Sequence, residues 1–422
     1  MSTVATENSP QEFPSYRWVV MGIWLTASVA GFMIMSTIGI LLPAISAELG
    51  LSPFQQGMLG SSAYWGNLVL AIPIGWWASR FSPKILTSVT LALGTLFLLA
   101  QSFSPGFVVL LMARVAFGVS VITRQPARAL LTQQWFPQRQ VVLVNSISNA
   151  MFGLVVGGGV AGSPFILAAL ADDWRATLLW FVGLFGVLTV LWLVFGRERV
   201  TAEYRQRLGS QDVNVLKGAL RYRDLWIGGL GFVGATMSWS AFLSFYPTLM
   251  LDTYQMSLIW SGGILAVGIF VGGVCGLGFG WLVMVSDQGR TVLLGTGAVM
   301  AVTFAAMTIT GSLPALLALT IVNGIAWGFW PVLYSVPFNL PGIRPREIAV
   351  SLAFIQMSSS AGIALGPLIA GIIQEMTGDL RLSLIVVSFA SLSLCGAGLI
   401  MKHGLSSRAA AVPEPAPSAT GD

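Results

Sequence analysis

Long apolar segments follow one another through almost the whole of this 422-residue chain. The first contains no charged residue from Trp18 to Ile45, which exceeds the length that a helix needs to cross a hydrocarbon core of ~30 Å. In lipid, every backbone polar group must be satisfied internally, so a chain of such segments folds as a bundle of membrane-spanning helices. Charged residues make up only 9% of the chain, too few to cover the surface of a soluble protein.

We therefore predict an all-α polytopic membrane protein with twelve transmembrane helices. The first segment is too long for the apolar core of a cleaved signal peptide, so it is the first span. The long polar stretch 197–223 divides the spans into six and six. The predicted spans are 18–46, 56–78, 83–103, 106–134, 141–170, 176–196, 225–250, 258–285, 291–311, 313–340, 348–374 and 382–401.

The predicted domains follow from the same division. They are a cytoplasmic N-terminal tail (1–16), an N-terminal six-helix bundle (17–196), a cytoplasmic central loop (197–223), a C-terminal six-helix bundle (224–402) and a disordered cytoplasmic tail (403–422). The last of these is rich in proline and alanine from Ser406 onwards, a composition typical of disorder.

Proline and glycine positions recur at separations of 203 to 205 residues, which indicates that the second bundle repeats the first. The pairs are Pro43 and Pro247, Gly75 and Gly280, Pro126 and Pro331, Pro137 and Pro341, and Pro164 and Pro367. The alternative is that helix-breaking prolines simply mark span ends. Two parallel six-helix repeats around a site at the membrane midplane form a known transporter architecture, so we expect two pseudo-symmetric bundles.

The basic residues lie on alternating loops, and this predicts the orientation. The central loop holds seven of them, whereas the loops on the opposite side hold only Arg175 and Arg381. Cytoplasmic loops carry an excess of Lys and Arg, so both termini are predicted to be cytoplasmic and the protein to lie in the cell inner membrane. The net charge of +5 then requires no nucleic-acid partner.

Arg124 is predicted to lie near the middle of the fourth span. Counting back from Trp135 at ~1.5 Å per residue places it about 16 Å inside the membrane, where a cation marks a candidate functional site. A substrate carboxylate in bidentate geometry is one suitable partner. The alternative is that Arg124 bonds helix carbonyls or Asn149 and only orders the bundle. Arg128, one turn nearer the cytoplasm, is expected to reach the interface.

No carboxylate is embedded in a predicted span, and the one histidine, His403, follows the last of them. A proton-driven carrier needs a titratable group in the membrane, and arginine stays protonated. Either the substrate's carboxylate brings the proton, or transport is exchange or facilitated diffusion. Cys275 and Cys395 lie inside apolar spans and predict neither a disulfide nor a metal site, and we expect no cofactor.

Amide and aromatic side chains inside the spans are further candidates for substrate contact. Buried amides form hydrogen bonds between helices or line a cavity, and several Trp and Tyr rings lie too deep for an interfacial belt. A cavity lined by rings and ordinary core packing both remain open. The candidates are Asn67, Asn145, Asn149 and Gln356, together with Tyr64, Trp239, Tyr246, Trp327 and Trp330.

The loop after the second span reads GWWASRFSPK and is similar to the signature loop of the major facilitator superfamily. Gly75, Arg80 and Lys84 match that loop, while Ser79 stands where the family carries an acid. In the family this acid helps to lock the two halves together in the outward-facing state. The resemblance covers all twelve spans and implies a transporter fold.

Two more segments resemble motifs of the same family. Arg114-Val-Ala-Phe-Gly118 in span four is similar to its Arg-x-x-x-Gly motif, which implies structural or gating roles for Arg114 and Gly118. Span eleven holds Gly362-Ile-Ala-Leu-Gly366-Pro367, similar to the antiporter signature of drug exporters. Small residues at this spacing let helices pack closely, so we interpret Gly366 and Pro367 as part of a rocking interface.

The sequence loosely resembles the organic anion:cation symporter and cyanate-permease-like branches of the family, through Pro126-Ala127, Trp135-Phe136-Pro137 and Asn149. The expected function is transport of a small organic anion by alternating access, and the alternative is efflux of drugs or metabolites. An enzyme would need a nucleophile, base or metal set that the chain does not offer. The expected partners are the anionic substrate and the lipid bilayer, with a co-transported proton or an exchange substrate left open.

Overall fold

The computed structural model of the protein describes residues 15–66, 68, 81–124, 127, 131–132, 134–136, 141–198, 218–285, 288–343, 345–402 and 405. These residues form helices and turns, without β-strands in the described part of the chain. Four predicted candidates, Asn67, Gly75, Arg80 and Arg128, lie outside the described residues. So do the side chains of Asn145 and Asn149.

The first half contains seven described helices. They are α1 (Tyr16–Ser36), α2 (Ile38–Leu49), α3 (Pro53–Ser62), α4 (Pro83–Ser102), α5 (Phe107–Thr123), α6 (Val141–Ala169) and α7 (Trp174–Phe195). The predicted first span is divided at Thr37 into α1 and α2. The Thr37 amide still donates to the Met33 carbonyl at 3.0 Å, so the chain remains helical where α1 passes into α2.

The second half contains eight described α-helices. They are α8 (Arg223–Tyr254), α9 (Leu258–Val285), α10 (Gly289–Thr308), α11 (Leu313–Ala326), α12 (Phe329–Ser335), α13 (Pro345–Thr377), α14 (Leu380–Ser388) and α15 (Ser393–Ile400). Ten described helical segments are long and apolar enough to cross a membrane, and the shorter α2 and α5 are apolar as well. The predicted all-α polytopic fold is confirmed.

One helix ends earlier than predicted. The fourth span was predicted to run from 106 to 134, and it is interrupted. α5 ends at Thr123 and Arg124 follows as its C-cap, in a turn, while Ala127, Leu131, Thr132, Gln134 and Trp135 are helical again. The cation therefore lies at a helix end and not inside a continuous helix. Span ten is interrupted in the same way, because α11 ends at Ala326 and Trp327 forms its C-cap before α12.

The two halves also repeat a helix start. Asp173 Oδ1 accepts hydrogen bonds from the amides of Arg175 and Ala176 at 2.8 and 3.1 Å, which begins α7. Asp379 Oδ1 accepts from the amides of Arg381 and Leu382 at 2.8 and 3.2 Å, which begins α14. An aspartate at this position satisfies amides that have no partner within the helix. The shared device supports the predicted internal repeat.

The halves meet closely at one end of the bundle, which we call the closed end. It holds the turn before α3 and the last turns of α13. A side chain at Gly57 would collide with the Pro367 carbonyl, and one at Gly371 would lie 2.5 Å from the Pro53 carbonyl. Glycine is needed here because α3 and α13 touch backbone to backbone. The positive-inside prediction makes this the external end.

Candidate functional site

A small cavity lies between the two halves, where α1, α2 and α3 face α8 and α13. Its wall contains four hydroxyl side chains among otherwise apolar groups. The lining residues are Met35, Ser36, Ile38, Gly60 and Tyr64 from the first half and Trp239, Ser240, Leu243, Ser244 and Ile363 from the second. Of the predicted candidates, Tyr64 and Trp239 therefore meet across the same cavity.

The cavity follows the internal repeat. Met35 and Trp239 are 204 residues apart, as are Ser36 and Ser240, and all four line it. Equivalent positions of α1 and α8 thus face each other. A site at the interface of two repeats, near the midplane, is where carriers of this architecture bind their substrates.

Arg114 lies directly behind the first-half wall and is 1% exposed. Its Nη2 donates to the Met35 carbonyl and its Nε to the Leu59 carbonyl, both at 2.8 Å. Met35 and Leu59 belong to the last turns of α1 and α3, whose carbonyls lack amide partners within the helix. A cation stabilises such helix ends through the helix dipole. Arg114 thus holds two helix ends against α5 beside the cavity.

Arg124 lies about 15 Å farther along the path of α5 than Arg114, since ten residues separate them. Its side chain is completely buried and turns toward α1 and α7. Nη1 donates to the Ala27 carbonyl at 3.3 Å, and the guanidinium carbon lies 5.4 Å from the centre of the Phe185 ring. Nε and Nη2 have no hydrogen-bond partner among the described residues. Arg124 is not part of the cavity wall.

Aromatic rings continue from the cavity along the second half. Trp239 packs edge-on against Trp327 with 5.1 Å between ring centres. Trp327 stacks on Trp330 at 6.3 Å, and Trp330 on Tyr334 at 5.7 Å, with interplanar angles of 16° and 13°. The Tyr334 hydroxyl donates to Gln356 Oε1. We call Trp239, Trp327, Trp330 and Tyr334 the aromatic stripe.

Gln356 shares a helix face with residues that contact the first half. Ile363 and Pro367 follow it at spacings of seven and eleven residues on α13, and side chains at such spacings lie on one face. Ile363 lines the cavity, and Pro367 packs against Gly57 and Gly60. The aromatic stripe therefore ends beside the gap between the halves, on the side away from the closed end.

Tyr246 occupies a different environment. It is fully buried and stacks on Phe242, which packs against Phe304 of α10 at 4.4 Å between ring centres. Its hydroxyl has no hydrogen-bond partner among the described residues. The structure thus separates Tyr246, inside the second half, from the aromatic stripe.

The predicted gating positions lie at contacts between helices. A side chain at Gly118 would collide with the Ala63 carbonyl after α3, and one at Gly366 would collide with the Met237 carbonyl of α8. The Lys84 amide, in the first turn of α4, donates to Glu198 Oε2 at 3.4 Å. An acid at a helix N-terminus is favourable.

Sequence reasoning did not select eight of the ten cavity residues, among them Met35, Ser36, Ser240 and Ser244. Serine and methionine are common at ordinary helix contacts, so residue type alone does not distinguish them. The signal that could have found them is the repeat, because Met35 and Ser36 match Trp239 and Ser240 at 204 residues.

The chain is similar to two bacterial transporters. It is 24% identical over 390 residues to the hexuronate transporter of Bacillus subtilis (strain 168), covering 85% of this chain and 88% of that protein. It is also 24% identical over 390 residues to the probable L-galactonate transporter of Escherichia coli (strain K12), covering 85% of this chain and 83% of that protein.

Similarity to a solved structure concerns the fold. The bacterial homolog of the human lysosomal transporter Spinster, in its inward-facing and unoccupied conformation, superimposes with a TM-score of 0.76 and 14% sequence identity. The alignment covers 94% of this chain and 98% of that one. The sequence also matches the family described as the Major Facilitator Superfamily over residues 23–367.

Proposed function

This chain belongs to the major facilitator superfamily, and we propose that it carries a small organic anion across the cell inner membrane by alternating access. Its relatives named above are transporters of hexuronate and, as a probable assignment, of L-galactonate. Both names describe sugar acids. That chemistry agrees with a first half that buries two arginines.

The observation that carries the proposal is the incomplete hydrogen bonding of Arg124. Only Nη1 has a partner among the described residues, and that bond, to the Ala27 carbonyl, is long at 3.3 Å. A buried guanidinium with unused N–H groups gains strong charge-assisted bonds when a carboxylate approaches. In this conformation the Arg124 side chain faces α1 and α7, so the proposal requires that it reorients toward the gap between the halves when the anion binds. We assign Arg124 as the anion anchor.

Arg114 supports anion binding from behind the cavity wall. Its guanidinium is held by the Met35 and Leu59 carbonyls, so it keeps a fixed position near Tyr64 and the cavity. A positive charge in a low-dielectric interior attracts an anion more strongly than the same charge in water. Arg114 therefore raises the local concentration of the anion, and Arg124 binds it.

The contacts between the halves support alternating access. At the closed end α3 and α13 touch through Gly57, Pro367 and Gly371, so substrate enters and leaves from the opposite side in this state. Rocking of one repeat against the other opens the closed end and shuts the other. With the predicted orientation, the conformation described here is inward-facing.

The test combines a ligand screen with transport. Purified protein is heated with a panel of carboxylates and sulfonates, and those that raise the melting temperature are tested for uptake into proteoliposomes. Arg124→Gln should reduce uptake by about 100-fold, the effect of two charge-assisted bonds, with melting temperature nearly unchanged. Arg175→Gln, which removes an arginine at the closed end, serves as the matched control. Normal uptake by Arg124→Gln would refute the anchor.

The same vesicles report the coupling. Uptake that is independent of a pH gradient indicates exchange or facilitated diffusion, whereas uptake driven by an inward proton gradient indicates that the substrate carries its proton. Stabilisation and transport of cationic or neutral compounds, with none of the acids bound, would favour an efflux carrier and would overturn the proposed function.

A further inference from the structure

Positions that the internal repeat relates carry different side chains in the two halves. Arg124 and Trp327 are 203 residues apart and each is the C-cap of the helix before it. Met35 and Trp239, 204 residues apart, face each other in the cavity. At both pairs of positions the second half carries an indole ring. The first half carries an arginine and a methionine at these positions, where the second half carries two tryptophans.

The cavity wall offers four hydroxyl groups, from Ser36, Tyr64, Ser240 and Ser244, among apolar side chains. The Ser240 hydroxyl already donates to the Met237 carbonyl at 3.2 Å. A sugar acid brings several hydroxyl groups, and each one that is buried without a partner costs binding energy. Four wall hydroxyls leave some of those substrate hydroxyls without partners.

The aromatic stripe supplies the complementary feature. Its stacked members, Trp327, Trp330 and Tyr334, present a continuous row of rings. Trp330 Nε1 is buried without a hydrogen-bond partner among the described residues, so one indole N–H is free to donate to a bound molecule. Flat apolar rings pack favourably on such a surface.

We propose that the transported anion is a ring-bearing carboxylate, whose flat apolar part packs on the aromatic stripe while its carboxylate faces the arginines of the first half. This inference rests on the proposed function and adds the substrate class. It departs from the sugar acids named for the relatives, because the stacked rings of the aromatic stripe suit a flat apolar group.

The test compares two classes of carboxylate on the purified full-length protein. Benzoate and phenylacetate represent ring-bearing acids, and glucuronate and galacturonate represent sugar acids. Dissociation constants are measured by quenching of tryptophan fluorescence and checked by competition for uptake. The ring-bearing acids should bind at least tenfold more tightly. Tighter binding of the sugar acids would overturn this inference and leave the proposed function intact, whereas failure of both classes to bind would count against the proposed function itself.

Variants locate the effect on the aromatic stripe. Trp327→Ala should weaken phenylacetate binding about tenfold and leave the binding of acetate, which has no ring, unchanged. Trp327→Phe should restore most of the loss. Trp260→Ala is the matched control, because Trp260 lies on α9 with 55% of its surface exposed. Equal loss of acetate and phenylacetate in Trp327→Ala would assign Trp327 to packing and contradict the inference.

A second observation concerns the closed end. Glu375, near the end of α13, accepts hydrogen bonds at its Oε2 from the Ser52 hydroxyl at 2.9 Å and from the Phe54 amide at 2.8 Å. Ser52 is the N-cap of α3, where its side chain and Gln55 form a capping box. The carboxylate therefore binds the N-terminus of a helix in the other half, where the dipole favours negative charge.

We infer that Glu375 is a latch that stabilises the closed end. Its two bonds join residues more than 300 positions apart, in different halves, so they break when the closed end opens. The nearby Glu48 makes a useful contrast, because it binds Trp174 and Arg175 of its own half. Loss of Glu375 should shift the protein toward the state in which this end is open, whereas loss of Glu48 should not.

Distance measurements test the latch. Spin labels at Asp172 and Met376, both exposed and one on each half of the closed end, are introduced after Cys275 and Cys395 are replaced by serine. Glu375→Gln should raise the long-distance population several-fold, because a neutral amide bonds more weakly to the helix N-terminus. Ser52→Ala should produce a smaller shift, and Glu48→Gln no shift. An unchanged distance distribution in Glu375→Gln would overturn the latch.

Discussion

In both halves the fourth span is interrupted, and the residue at the interruption differs. The first half places Arg124 there, buried against Phe185 and bonded weakly to one carbonyl. The second half places Trp327 at the equivalent position, packed against Trp239 and Trp330. The backbone is repeated in the two halves, whereas the side chains at the equivalent positions differ. A duplicated backbone can thus carry different side chains at equivalent positions.

The difference extends to how each half stabilises its broken helices. In the first half, Arg114 donates to carbonyls in the last turns of α1 and α3. In the second half, rings of α8 and α12 pack together, as in the contact between Phe232 and Trp330 at 4.6 Å. One half relies on a charge and hydrogen bonds, the other on aromatic packing.

The largest effect is expected when the second half receives the arginine that the first half has at the equivalent position. Trp327→Arg places a cation among Trp239, Phe329 and Trp330, which offer no counter-charge. The penalty is about 3 kcal/mol or more, so we expect at least a tenfold loss of folded protein in the membrane, measured by fluorescence-detected size exclusion. Trp327→Phe should fold normally. A well-folded Trp327→Arg protein would show that the second half accepts a charge at this break.

A second experiment removes the charge of Arg114, which binds the ends of α1 and α3 in the first half. Arg114→Met keeps the volume but removes the donor of the Met35 carbonyl, at about 1–3 kcal/mol, and leaves the Leu59 carbonyl only the Ser62 hydroxyl at 3.1 Å. The melting temperature in detergent should fall markedly, and Arg114→Lys, which keeps one donor and the charge, should fall less. If Arg114→Met and Arg114→Lys were as stable to heat as the unmodified protein, the stability of the two helix ends would not depend on Arg114.

A milder test asks whether the two halves need equally close helix contacts. Gly118→Ala would force Ala63 away from α5, and Gly366→Ala would force Met237 away from α13. Each should cost about 1–3 kcal/mol through overpacking, measured by thermal unfolding. Gly158→Ala and Gly263→Ala are the matched controls, because a side chain at either position meets open space. Unequal effects at Gly118 and Gly366 would extend the difference between the halves to their packing.

The smallest expected effect lies at the repeated helix starts. Arg175 pairs with Glu48 and, together with Trp174, holds the pKa of that carboxyl below its ordinary value of 4.5. The equivalent Arg381 instead donates to the Tyr254 hydroxyl at 3.3 Å. A lowered folded-state pKa contributes stability that is present above pH 4.5 and is lost as the pH falls through the folded value.

Arg175→Gln should therefore lower the melting temperature at pH 7 by only about 1 to 2 °C, because the pair is exposed. The difference from the unmodified protein should disappear on acidification to about pH 3. Arg381→Gln should show a change that does not depend on pH in this range. The melting temperature between pH 3 and 7 is the measurement, and an equal pH dependence in both variants would remove this distinction between the halves.

Much of the fold could be predicted from the sequence, and less of the site. Segment length and the separation of paired prolines predicted a two-bundle membrane protein. Trp327 and Trp330 were predicted as candidates because they lie too deep in a span for an interfacial belt, but their stacking on Tyr334 was not predicted. The direction of Arg124 toward Phe185 could not be predicted, because it depends on where α5 ends. Neither could the burial of Tyr246 among rings of α10, since its spacing on α8 is compatible with either face.

By itself, the sequence determined that this chain spans the membrane repeatedly, that its second half echoes the first, and that a cation is buried where lipid tolerates none. These properties depend on composition and order along the chain, because apolar segments in lipid must satisfy their own backbone hydrogen bonds and therefore form helices. Only the tertiary structure decided that Arg114 binds two helix ends, that Trp239 meets Met35 across a cavity, and that Glu375 bonds the opposite half. Those contacts join residues distant in sequence, and their geometry arises only when the two bundles pack together.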